Sequence, residues 1–283
     1  MASFTNFATL SYNGGTTNSN IVTGEILEAL TAVKTAVSAN YSAGDRITYA
    51  LSLVNTGTAA ITDYTVTDNL GGYTVGANTV YPLAYNAGTV RYYINGVLQT
   101  APTVTAGPPL TVTGLTVPAG GNAVLIYETT ATPVAPLATG SSITNTATIT
   151  GGGLTNPITA QATVETANSA ELSISKALSP TTVTENGQIT YTFVISNTGN
   201  TEATATGNVV VTDTFAPILR NIAVTYNGTA WTEGTNYTYN AATGVFTTLA
   251  GQITVPAATF TQNTDGTFTV TPGTATLVIT GTV

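Results

Sequence analysis

One plan is written twice in this chain, and the repetition limits the possible folds more than any other feature. Residues 30–70 run from Leu30 to Lys34, through Gly44-Asp45-Arg46-Ile47-Thr48-Tyr49 and Val54-Asn55-Thr56-Gly57, to Val66-Thr67-Asp68. Residues 172–213 repeat it: Leu172 to Lys176, Asn186-Gly187-Gln188-Ile189-Thr190-Tyr191, Ser196-Asn197-Thr198-Gly199, Val211-Thr212-Asp213. Asn95-Gly96 answers Asn227-Gly228, a hairpin turn signal in each half. Two copies of one unit must therefore share one architecture.

That unit reads as all-β. Thr, Val and aromatic residues alternate with polar ones between closely spaced turn signals, the pattern of an immunoglobulin-like β-sandwich. The expected order is an N-terminal strand with its linker (1–25), domain 1 (26–151), a linker (152–169) and domain 2 (170–283). The helix-like stretch from Gly24 to Lys34 reads as linker and first strand, because Glu171 to Ser175 holds the same place in the second copy.

The set Lys, Gly-Asp-x-x-Thr-Tyr, Asn-Thr-Gly, Val-Thr-Asp and Asn-Thr-Ala-Thr resembles the "conserved repeat domain" family of bacterial surface proteins. The two-domain size and plain N-terminus also resemble spore-appendage subunits. The first resemblance covers both domains and implies an immunoglobulin-like sandwich in a cell-surface or filament protein, without implying an activity.

One strand is out of place. Ser142-Ile143-Thr144-Asn145 and the residues to Ile149 close domain 1, whereas domain 2 has only Thr280-Gly281-Thr282-Val283 after the equivalent of its preceding strand. The matching segment, Ser3-Phe4-Thr5-Asn6 to Leu10, stands ahead of domain 1. A sandwich short of its last strand offers an open edge to strand addition. The expectation is head-to-tail donation of Phe4, Asn6, Ala8 and Leu10 to domain 2 of another copy, giving an open homopolymer.

Strand parity places three polar residues on each apolar face. Lys34 lies with Leu30 and Ala32, Asp68 with Tyr64 and Val66, and Asn145 with Ile143 and Ala147; in the second set Lys176, Asp213 and the donor's Asn6 do the same. Lys34 and Lys176 are the chain's two lysines. A buried Lys is driven toward its neutral, nucleophilic form, and a buried acid holds a proton with which to polarise an Asn carboxamide. Attack, with loss of ammonia, would leave a Lys–Asn isopeptide bond. This resembles the autocatalytic crosslinks of Gram-positive pilin domains. It predicts an internal Lys34–Asn145 bond with Asp68 as acid, and an intermolecular Lys176–Asn6 bond with Asp213 as acid. Glu128 is a second candidate acid in domain 1. A snorkelling Lys, a turn-capping Asp and a hydrogen-bonded core Asn account for the same parity without chemistry.

Composition narrows the remaining classes. The chain has no Cys and no His, and its acids are dispersed, so no metal or cofactor site and no imidazole catalysis are expected. A net charge of −8 with five cationic residues argues against nucleic acid. No apolar run is long enough to cross a membrane, and no signal peptide is visible. The expectation is a structural subunit of an extracellular cell- or spore-surface filament, enzymatic only in crosslinking itself. The alternative is a monomeric adhesin or cell-wall binding module.

Overall fold

The computed structural model describes residues 2–26 and 29–283. They are strands and turns with a single 3-10 turn, Ala205–Gly207, and no helix among them is long or apolar enough to cross a membrane. Two compact units result, residues 1–135 with 142–165, and residues 136–141 with 166–283. Each is built around sheets facing a common core, as the alternating pattern predicts.

In unit 1 the first sheet runs from the lysine strand, Leu30–Ala36, through Arg46–Asn55 and Asn122–Ala131 to Arg91–Ile94 and Val97–Leu98. The second carries Thr103–Thr105, Leu110–Val117, the acid strand Ile61–Asp68, the asparagine strand Ser142–Gly151, Ile158–Thr166 and Asn40–Tyr41, in that order. Residues 152–169, expected as a linker, thus hold a full strand whose Val164 and Thr166 are buried. The sheet extends past the expected boundary at 151 because alternating Ala160, Ala162 and Val164 continue to supply an apolar face.

Unit 2 repeats the first sheet: the lysine strand Leu172–Ser179, then Gln188–Asn197, Gly273–Thr282, Arg220–Tyr226 and Thr229–Trp231. Its facing sheet has three strands, Thr212–Thr214, Val245–Thr248 and Tyr237–Asn240. The core gathers Ile189, Phe193, Phe215, Phe246, Leu277 and Ile279.

The repeated Asn-Thr-Gly is a lock between strands. Buried Asn55 donates through Nδ2 to the carbonyls of Ala59 (2.8 Å) and Pro118 (3.0 Å), and its Oδ1 accepts from Gly57 N (2.9 Å). Asn197 repeats this with Thr201, Pro256 and Gly199 at 2.7, 3.0 and 2.9 Å. One side chain closes its own turn and ties it to a distant loop, satisfying backbone groups that no strand reaches.

The N-terminal segment is a β-hairpin. Ala2–Asn6 pairs with Val22–Ile26 and Thr9–Tyr12 with Gly15–Asn18, around a turn in which Asn13 (φ 41°) and Gly14 (φ 79°) take the left-handed values of a type I′ hairpin. Residues 11–25, read from sequence as the rest of a linker, form its turn and return strand. Phe4, Phe7, Leu10, Tyr12, Ile21 and Val22 are all exposed on it.

Candidate functional site

In unit 1 the lysine strand is the edge of its sheet, and its alternation turns Lys34 inward opposite Leu51 of the neighbouring strand. Asp68 ends the acid strand, where Leu70 (φ 51°) turns the chain and donates its N–H to Asp68 Oδ1 at 2.9 Å. Lys34 Nζ meets Asp68 Oδ2 at 2.5 Å, with both side chains sealed from solvent at 0% and 1% exposure. The Tyr127 hydroxyl donates to the same carboxylate oxygen.

Two stacked rings, Tyr49 and Tyr127 (centroids 5.8 Å apart), frame the ammonium, which lies 4.8 Å from the Tyr49 centroid and 5.9 Å from that of Tyr127. Burial pulls the Lys34 pKa down to about 8, against the raising effect of Asp68. Burial likewise raises both phenols, so each keeps its proton.

Asn145 reaches this pocket from the asparagine strand. Ala147 pairs directly with Asp68, and Asn145, two residues away, shares its face. Asn69 staples the two strands: its N–H donates to the Thr146 carbonyl at 3.0 Å, and its Oδ1 accepts the Thr146 N–H at 2.9 Å. Asn145 is fully buried, yet neither polar atom of its carboxamide has a hydrogen-bond partner. The two rings that frame Lys34 also border it, without a well-formed hydrogen bond. An unsatisfied buried amide costs about 1–3 kcal/mol, so its place beside an amine and an acid needs a reason other than stability.

Glu128 drops out as the acid. It is on the opposite face of its strand from Tyr127, partly exposed, and reaches Arg46 at 3.5 Å. Strand register pairs Thr190 with Thr280 where Thr48 pairs with Glu128, so its counterpart in unit 2 is Thr280, which is no acid.

Unit 2 holds the same pair in an open setting. Lys176 Nζ lies 2.5 Å from Asp213 Oδ2 and 4.4 Å from the Tyr191 ring centroid, but here the side chains are 40% and 18% exposed. Thr212–Thr214 pairs with Val245–Thr248 on one side only. No described strand pairs with its other side, where unit 1 has the asparagine strand. Along the lysine strand Leu172, Ile174 and Leu178 are exposed, and with Ile195, Val209 and Val211 the first two line an apolar groove. Among the described residues no asparagine strand flanks the Lys176–Asp213 pair as Ser142–Gly151 flanks Lys34 and Asp68 in unit 1.

Of the residues expected from sequence, the structure brings Lys34, Asp68 and Asn145 into one pocket, and Lys176 and Asp213 into another. Asn6 stands on the exposed hairpin with Phe4, Ala8 and Leu10. Tyr49, Tyr127 and Asn69 escaped the sequence reading. Tyr49 and Tyr191 carried a signal, the repeated Ile-Thr-Tyr. Tyr127 carried none, since its counterpart in register is Ile279. Among the described residues no group of acids is placed to hold a metal.

No protein-family model and no curated protein matches the chain. Solved structures do. The N-terminal domain of the Streptococcus gordonii adhesin Sgo0707 matches at 16% identity and TM-score 0.35, over 47% of this chain, which spans about a third (31%) of that one. BcpA, the major pilin subunit of Bacillus cereus, matches as its D312A variant at 14% identity and TM-score 0.39, over 96% of this chain and 73% of that one. The 35 kDa C-terminal fragment of the Streptococcus agalactiae major pilin GBS80 matches at 15% identity and TM-score 0.37, over 87% of each chain.

Proposed function

We propose that this chain is the structural subunit of a surface filament, of pilus or spore-appendage type. Its N-terminal strand enters domain 2 of the next copy, and a Lys–Asn isopeptide bond in each domain makes the assembly permanent. One observation carries this reading. Both domains hold a Lys–Asp pair against a Tyr ring; the first is closed by a strand bearing Asn145, while the second lies open and the matching strand, bearing Asn6, stands exposed on the same chain.

The chemistry follows from the groups. The neutral amine of Lys34 attacks the Asn145 carboxamide carbon, a C–N bond forms, and the bond to Nδ2 breaks with release of ammonia. Asp68 gives its proton to the amide oxygen, takes one from the attacking nitrogen and passes it to the leaving group, and recovers the first from the hydroxyl as the carbonyl re-forms and ammonia departs. Tyr127 fixes the carboxyl's orientation. In domain 2, Lys176, Asp213 and the incoming Asn6 play the same parts once insertion has excluded water. Each large apolar side chain buried on insertion, Phe4 and Leu10 on the donor and Leu172 and Ile174 on the acceptor, contributes about 1.5–3 kcal/mol.

Deleting residues 1–13 is expected to leave a folded, monomeric subunit that makes no fibres by electron microscopy. Fibres from that variant would rule out strand donation.

The pH dependence has a defined sign. Attack needs a neutral amine and a protonated carboxyl, which together hold one proton, as many as the ammonium–carboxylate pair holds. Closure of the Lys34–Asn145 bond in freshly synthesised chains, followed by intact mass, is therefore flat through neutral pH. Above about 8, where Lys34 loses the shared proton, it slows about tenfold per pH unit. A rate that rises through that range would show that Asp68 takes no part.

A further inference from the structure

We infer that the unit donated to domain 2 is the whole N-terminal hairpin, residues 2–26, and that the acceptor site is two strands wide. This rests on the strand donation proposed above and specifies what is inserted.

Three independent observations agree. The first is register. In unit 1 the asparagine strand pairs on its other side with a second strand: Ser142 faces Glu165, Ile143 faces Val164, Thr144 faces Thr163 and Asn145 faces Ala162. The N-terminal hairpin repeats this pair by pair, with Ser3 facing Glu25, Phe4 facing Gly24, Thr5 facing Thr23 and Asn6 facing Val22. Chain chemistry is thus copied on the return strand as well as on the strand that carries the reactive Asn.

The second is compensation across a pair. Where unit 1 has two branched side chains, Ile143 and Val164, the hairpin has one large and one absent, Phe4 and Gly24. The Phe4 ring lies over Gly24 so closely that a Cβ there would collide with it. Total volume is redistributed between the two strands, which packing against one shared core requires and a spacer of free composition does not.

The third is the acceptor. In unit 1 the outer strand, Ile158–Thr166, pairs on its far side with Asn40–Tyr41, whose Tyr41 is fully buried. By the repeat, Tyr41 corresponds to Val183. Residues 181–184 form no strand, and Val183 is 37% exposed. A single inserted strand would cover the acid strand and leave this second edge bare. A hairpin covers both. Preformed by its type I′ turn, it also enters with its backbone already ordered, which lowers the entropy cost of joining.

The test reads the return strand. Val22 corresponds to buried Ala162, and Ile21 to exposed Gln161. In full-length subunits Val22→Asp is expected to slow polymerisation at least about 100-fold by placing a charge in the joined core, while Ile21→Asp assembles like the wild type. In parallel, synthetic peptides 1–26 and 1–13 are added to wild-type subunits as chain terminators. The hairpin peptide is expected to shorten fibres at a concentration at least about tenfold lower. Wild-type assembly by Val22→Asp, or equal potency of the two peptides, would overturn the hairpin while leaving single-strand donation standing. Fibres from the 1–13 deletion instead remove strand donation itself.

Discussion

Lys176→Ala is expected to turn a ladder that survives boiling in detergent into a single monomer band. Fibres should still form in native buffer, because the apolar strip of Leu172 and Ile174 and the open edge of Thr212–Thr214 do not depend on the lysine. Lys176→Arg makes the sharper variant. The guanidinium keeps its charge, and so the attraction to Asp213, yet it does not deprotonate in proteins and so does not attack an amide. It should match the alanine variant on the gel. Intact mass of the wild-type ladder should show one ammonia lost at each junction, and Asn6→Ala should erase both signals. A ladder that persists in Lys176→Arg would mean that some other pair makes the junction.

Asp68→Ala should be the most damaging substitution inside domain 1, for two separable reasons. It strands the Lys34 ammonium in a pocket with 0% exposure, where removing one partner of a buried ion pair costs about 3–5 kcal/mol. It also removes the proton carrier, so the Lys34–Asn145 bond does not close. Tying strands so far apart in sequence is worth about 4–5 kcal/mol by analogy with a disulfide spanning a loop of that size. A fall in Tm of more than about 10 °C is expected by calorimetry, with no ammonia lost from domain 1. The double variant Lys34→Met/Asp68→Leu separates the terms. It loses the bond but strands no charge, and should recover part of the lost stability. Ammonia loss in Asp68→Ala would remove Asp68 from the mechanism. Asp213→Ala should barely change the isolated subunit's melting, because its partner Lys176 stays in contact with water.

Parity explains why the inward-facing polar residues could be found from the sequence. Lys34, Asp68 and Asn145 each sit at the inward phase of an alternating strand, and period-two alternation is a strong local signal that needs no knowledge of the partner strand. The two-sandwich plan was legible for the same reason, doubled by the repeat. What escaped depends on pairing between strands. Tyr127 is one more inward aromatic until register sets it opposite Tyr49 and its hydroxyl on Asp68. The strand Ile158–Thr166 looked like a linker because Gly151-Gly152-Gly153 and Pro157 precede it. The return strand of the hairpin was hidden by the substitution that identifies it, since Phe4 with Gly24 resembles Ile143 with Val164 only as a pair. The Asn-Thr-Gly repeat stood out as a marker, but its part in bracing distant loops is visible only in three dimensions.

The lysine lies on the first strand of each domain, and in unit 1 the asparagine lies near the end. This placement decides where a pulling force would travel. With both bonds in place, tension enters a subunit at Asn6, runs along the backbone to Lys34, crosses to Asn145, continues to Lys176 and passes to the next copy. Residues 35–144 and 177–283 hang outside that line. The rest of each sandwich then hangs as a side-load on a continuous covalent thread, and stretching the filament pulls directly only on the segments along that thread, residues 6–34 and 145–176, and not on the remaining strands of each core.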